Sequence, residues 1–290
     1  MQTKKIYLLP GLALAGGVLG FCLRRWQVAQ AYDPEMEFFA GGAPSTYLLL
    51  GVLALVLVLL AVLVRGGRTP EDFLPLMHFD RAPLMALHGI SAALFLLAGI
   101  FQLIRGNQLL SAWREASAAA AAAASASPPV TPPLSILLCG ALCIPAAAAV
   151  LSMASDAYKN QLTKKTCLLA CFPAFAGLIW VFSIHLSNGV NPILMDYGFL
   201  LAAACLLTLC QYYAAASLFD HVCPRRMIFC GLSGTVLGLT AAADRLWLHR
   251  DVPAVLLVLA LALSALSWSL AALPNVCGQA LPTPEETPEN

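Results

Sequence analysis

The sequence predicts an all-α fold, a polytopic transmembrane bundle of about eight helices. Two observations predict it. Hydrophobic residues make up 60% of the 290 residues and charged residues only 11%, with a mean hydropathy of +0.80. The apolar residues also collect into eight stretches, and crossing a bilayer takes about 20 apolar residues per helix. Lipid offers backbone groups no hydrogen-bond partner, so each stretch must satisfy its own backbone as a helix. A membrane barrel would instead show alternating segments of about ten residues, which this sequence lacks.

The first span, Ile6–Leu23, follows Lys4 and Lys5. It reads as a retained signal anchor. Arg24 and Arg25 separate it from the cleavage-like Ala29-Gln30-Ala31, and it is longer than the 7–15 residues of a leader's apolar core. The remaining spans are Thr46–Val64, Pro83–Ile104, Leu134–Met153, Thr166–Leu186, Ile193–Phe219, Met227–Ala243 and Val252–Leu273. Pro10, Pro145 and Pro173 fall inside spans, where proline removes a ladder bond and kinks the helix. Gly16 and Gly20, and again Gly234 and Gly238, stand four apart, the spacing that lets helix backbones approach closely.

Between the third and fourth spans, Ala116 to Pro133 is of low complexity. Its alanine run Ala118–Ala124 favours extension of the third helix, and Ser125 to Pro133 then stops it. Residues 281–290, with three prolines and three glutamates, read as a disordered tail. Residues 1–280 therefore form a single integral membrane domain.

A net charge of +1 and a pI near 7.5, with no basic stripe, leave no case for nucleic acid. The expected partner is the lipid bilayer, with an unidentified membrane partner or a second copy left open. Most of the ten cysteines lie in apolar stretches and act as small hydrophobes. Cys139/Cys143 and Cys167/Cys171 could supply four metal ligands. One crossing separates the two pairs by about 15 Å, so no metal site is expected. No cofactor is expected either.

Ionisable groups within spans are the default functional candidates. His88 lies inside the third span, and a bond to a neighbouring carbonyl suits it better than a proton relay. Gln102, His185, Asp196 and Asp244 sit at span ends on one side and are candidates for an outward-facing, ligand-binding vestibule. The competing reading places each at headgroup level, solvated or paired with Arg105, Arg245 or Arg250. Gln211, with Tyr212 and Tyr213, reads as an interhelical hydrogen-bond donor. There is no His-Glu-x-x-His, Gly-x-Ser-x-Gly or P-loop, and no catalytic residue is assigned.

The first loop carries the most distinctive run, Tyr32-Asp33-Pro34-Glu35-Met36-Glu37-Phe38-Phe39. Asp33-Pro34 favours a turn. The carboxylates and aromatics could meet a cation or polar ligand, or Phe38 and Phe39 could dip into the lipid boundary. This run resembles a Tyr-Asp-Pro-Glu-Thr-Gly-Phe-Phe-like sequence after the first helix of a family of uncharacterised bacterial multi-spanning membrane proteins. Tyr32, Asp33, Pro34, Glu35, Phe38 and Phe39 match, whereas Met36 and Glu37 replace Thr and Gly. The resemblance implies a bacterial inner-membrane location and no particular activity.

Three function classes follow. The leading one is a non-enzymatic membrane protein, either a transport-related subunit or a small permease. The others are a membrane sensor or envelope scaffold acting through the first outer loop, and an intramembrane enzyme on a lipid-phase substrate. Orientation follows from basic residues. Lys4, Lys5, Arg65, Arg68, Arg81, Lys159, Lys164, Lys165, Arg225 and Arg226 lie on the side of both termini, and Arg24, Arg25, Arg105, Arg114, Arg245 and Arg250 lie opposite. Cytoplasmic loops carry the excess of Lys and Arg, which predicts both termini inside.

Overall fold

A computed structural model of the chain describes residues 2–35, 38–40, 42–65, 77–122, 132–163, 168–189, 191, 193–217 and 222–277. Among the described residues stand eight long helices: α1 (Gln2–Ala31), α2 (Pro44–Arg65), α3 (Ala82–Ala122), α4 (Leu134–Tyr158), α5 (Cys171–Ser187), α6 (Leu194–Ala216), α7 (Pro224–Trp247) and α8 (Val252–Cys277). A two-stranded hairpin, β1 (Tyr32–Asp33) and β2 (Phe38–Phe39), joins α1 to α2, with Tyr32 opposite Phe39 and Asp33 opposite Phe38. Seven of the helices are long and apolar enough to cross a membrane, and α5, with 17 residues, is the shorter one. At 1.5 Å per residue α5 is about 25 Å long, near the lower limit of a span. The chain is an all-α, multi-pass membrane protein.

Polarity is arranged from the centre outward. The window of α7 is the least apolar of the seven, with mean hydropathy 1.4, yet 89% of it is buried; that of α2, at 3.2, is only 28% buried. In water the more apolar helix would be the hidden one. Here Leu55, Val58 and Val62 of α2 face outward, while Ser233, Thr235, Thr240 and Asp244 lie inside on α7. That is the order expected where the surrounding solvent is hydrocarbon. Helix α7 touches α1, α2, α6 and α8, and much of the remaining packing follows the chain: α1 on α2, α3 on α4, α4 on α5, α5 on α6, with α8 also on α3 and, less extensively, on α1 and α6.

Small residues set the closest approaches, because dispersion packing drives helix association in lipid. A Cβ on Gly99 of α3 would lie 2.9 Å from the Gly140 carbonyl oxygen of α4, and one on Gly140 would lie 3.0 Å from the Gly99 carbonyl oxygen. The anticipated glycine pairs also sit at contacts: Gly16 faces Val56, Gly20 faces Thr240, and Gly234 faces Leu207.

Several boundaries differ from the sequence reading. Helix α1 does not stop at Leu23 but continues to Ala31, carrying Arg24 and Arg25 inside it. Helix α5 starts at Cys171, so Pro173 falls in its first turn instead of mid-span. There the missing N–H costs no ladder bond, and no kink is required. Helix α3, by contrast, shows the extension that the alanine run favours: it continues to Ala122, which makes it about 60 Å long. Met36, Glu37, Cys167, Phe219 and residues 281–290 lie outside the described residues.

Candidate functional site

Helices α1, α6, α7 and α2 converge at the end of the bundle capped by the hairpin. One face of α1 is formed by Ala13, Gly17, Gly20, Arg24, Gln27 and Ala31, all buried, spaced three and four apart as a helix face requires. This face packs on α7, so Arg24 enters the protein interior with no exposed surface. Its Nε and Nη2 donate to Oδ2 of Asp244 at 3.2 and 2.7 Å. Nη1 donates to Gln27 Oε1 at 2.6 Å, and Nη2 donates again to the Met195 carbonyl at 2.7 Å. Gln27 Nε2 passes the network to Thr46 Oγ1 of α2 at 2.8 Å.

Two aromatic rings complete the cage. The guanidinium carbon lies 4.6 Å from the centroid of Phe39 in the hairpin and 5.0 Å from that of Phe199 in α6, both within cation–π range. The loop is therefore seated on the buried charge: Phe39 also meets Tyr32 at 5.2 Å, and the Asp33 carboxylate accepts the Glu35 N–H at 2.9 Å. Asp33-Pro34 thus forms the expected turn. Phe39 lies over Arg24, and Phe38 is the more exposed of the two.

The pair is incompletely matched. Both bonds from Arg24 reach one oxygen of Asp244, and Oδ1, fully buried, has no hydrogen-bond partner among the described residues. A second cluster adjoins it. Asp196 Oδ1 lies 2.8 Å from His249 Nε2, Asn191 Nδ2 donates to Asp196 Oδ2 at 3.1 Å, and Arg245 Nη2 donates to the Asp196 carbonyl at 3.1 Å. Asn191 also accepts the Ile193 N–H at 2.9 Å, which fixes the entry into α6.

Of the four anticipated vestibule residues, Asp196 and Asp244 share this neighbourhood through adjoining positions on α6 and α7. Gln102 is buried against Gly140 at the α3–α4 contact, and His185 is exposed near the end of α5. The pairing expected for Asp244 is corrected: its partner is Arg24, not Arg105, Arg245 or Arg250, because the α1 helix carries Arg24 inward. Arg105 pairs instead with Asp251 at 2.6 Å, in a partly exposed contact. Gln211 is buried, but its Nε2 makes no hydrogen bond among the described residues. His88 is buried, with Nδ1 2.9 Å from the Leu84 carbonyl and Nε2 3.2 Å from Ser267 Oγ. It stacks parallel to Phe79 at 5.5 Å and meets Trp268 edge-on at 4.5 Å, as a packed interior histidine does.

Among the described residues, the opposite end of the bundle holds a cavity. A cavity of about 400 Å³ lies between the start of α3, the end of α8 and the segment after α4, with Asp80, Arg81 and Asn160 on its rim and Phe79 and Leu84 at its floor. Among the described residues, no group of three or more His, Cys, Asp or Glu side chains could hold a metal ion. The chain matches no family model, no curated protein and no solved structure.

Proposed function

We propose that the protein is a small permease of a bacterial cell membrane, non-enzymatic, with both termini cytoplasmic. The observation that carries this reading is the Arg24–Asp244 pair, buried beneath the hairpin while, among the described residues, the other end of the bundle holds a cavity lined in part by Asp80, Arg81 and Asn160. Taking two charges out of water costs several kcal/mol per ion in real proteins, and intramembrane ionisable pairs mark solute and ion pathways. The pair and Phe39 then close the outer end, and the cavity is the inner mouth.

Exchange between end-closed states needs a contact that can open. The unmatched Asp244 Oδ1 and the two-residue strands of the hairpin supply one. The hairpin's seat on Arg24 also favours the sensor reading, since a ligand on the loop would act directly on the buried pair.

The test is flux. Purified protein in proteoliposomes, screened against organic acids, organic cations, amino acids and sugars, is expected to pass at least one class at a rate that Asp244→Asn lowers at least tenfold. Absence of flux for every class, together with ligand-induced protease protection of the loop, would replace the permease with the sensor.

A further inference from the structure

A second cavity, outside the charge network, opens on the lipid-facing surface between α5 and α6. It has a volume of about 690 Å³, within the 300–1,000 Å³ usual for ligand sites. Its wall is apolar: Cys171, Ala174 and Phe175 from α5, and Leu209, Tyr212 and Ala216 from α6. The cause is local. Gly177 meets Thr208 where the two helices cross, so close that a Cβ there would collide with the threonine side chain. From that crossing toward the start of α5 and the end of α6, the cavity lies between the two helices. Alanines 174, 215 and 216 leave the gap unfilled. From Cys171 to Leu178 the groove runs about 10 Å along the helix. Phe175 and Tyr212 form its lips and are 54% and 53% exposed, so it is open to the bilayer along its side.

A charge lies at the level of one end of the groove. On the far side of α6, Gly231 of α7 packs on Cys210 and Gly234 on Leu207. This antiparallel register sets Arg226, which is exposed, level with Ala215, at the end of the groove formed by the start of α5 and the end of α6. An apolar slot sized for one chain, open to hydrocarbon and ending at the level of a guanidinium, fits an amphiphile with an anionic head.

We infer that the α5–α6 groove is a binding site for one acyl chain of an anionic glycerophospholipid of the surrounding bilayer, with the headgroup at the level of Arg226. The inference uses the membrane fold and is independent of the permease reading. Native mass spectrometry of the purified protein, after exposure to mixed micelles of dioleoylphosphatidylglycerol and dioleoylphosphatidylcholine, tests it. The wild type is expected to retain one phosphatidylglycerol. Ala174→Phe and Ala216→Phe, which fill the slot from opposite walls, should each lower retention at least tenfold, while Leu55→Phe on the lipid face of α2 should leave it unchanged. Arg226→Gln should lower the preference for phosphatidylglycerol about fivefold, as expected for one basic residue near an anionic surface. Gel filtration of each variant as a single folded species accompanies the comparison. Undiminished retention in both folded filling variants would overturn the site, and equal retention of the two lipids by the wild type would overturn the anionic head.

Discussion

Replacing Asp244 with Asn tests the buried charge most sharply. The change keeps the side-chain shape and removes the carboxylate on which Arg24 Nε and Nη2 converge at 3.2 and 2.7 Å. The guanidinium keeps Gln27, the Met195 carbonyl and two ring faces, but no counter-charge. Breaking a buried pair from one side costs about 3–5 kcal/mol, and the ring contacts already present offset part of this, at about 0.5–2 kcal/mol each. A loss of about 3 kcal/mol is expected for Asp244→Asn. Arg24→Met should cost a similar amount, since it strands the carboxylate. The double variant removes both charges and should cost about as much as either single change, giving a coupling of about 2–3 kcal/mol. Equilibrium unfolding in mixed micelles, followed by circular dichroism, measures all three. Arg105→Gln is the contrast: that arginine is 46% exposed in its pair with Asp251, and its loss should stay within about 0.5 kcal/mol. Additive single effects at Arg24 and Asp244, with no coupling above about 0.5 kcal/mol, would refute the reasoning.

Three further outcomes are expected. Gly99→Ala should destabilise by about 1–3 kcal/mol, because its Cβ would press on the Gly140 carbonyl, a backbone atom that cannot rotate away. Gly89→Ala, with nothing within 4 Å, should be neutral or stabilising by up to about 1 kcal/mol in the same unfolding assay. Phe39→Ala should speed proteolysis of the first loop from the outer side severalfold, and Phe38→Ala should change it little, since only Phe39 sits on Arg24. A reporter fused after Asn290 that fluoresces only in the cytoplasm should light up, and a dark one would invert the bundle or change the span count by one.

The sequence made the helical membrane architecture legible because hydrocarbon imposes it residue by residue. Long apolar stretches need no knowledge of the fold, and the Gly16/Gly20 spacing correctly marked a contact face. The site was half legible. Asp196 and Asp244 stood out as carboxylates at span ends, but the partner of Asp244 lies 220 residues away, and no local pattern encodes such a distance. Hydropathy falls at Leu23, so Arg24 looked like a loop residue on the water side. A signal was nevertheless present: the helix face through Gly17 and Gly20, continued by steps of four and three, reaches Arg24 and Gln27. Gln102 was misplaced for a different reason. Depth along a helix can be counted, but the direction a side chain faces depends on which neighbour packs there, and for Gln102 that neighbour is Gly140.

The claim that the hairpin end is closed and the opposite end open is tested most directly by two-sided cysteine labelling. In a background with the native cysteines replaced, Ser45→Cys places a thiol at a fully buried position at the start of α2 whose hydroxyl has no partner among the described residues, so the substitution is mild. Asp80→Cys places one on the rim of the cavity. In sealed vesicles a membrane-impermeant maleimide is expected to label the Asp80→Cys variant from the cytoplasmic side and the Ser45→Cys variant from neither. Adding Asp244→Asn should make the thiol at position 45 reactive from the outer side. Labelling of that thiol with Asp244 intact, or no gain in its reactivity once the carboxylate is removed, would contradict a gate built on the Arg24–Asp244 pair.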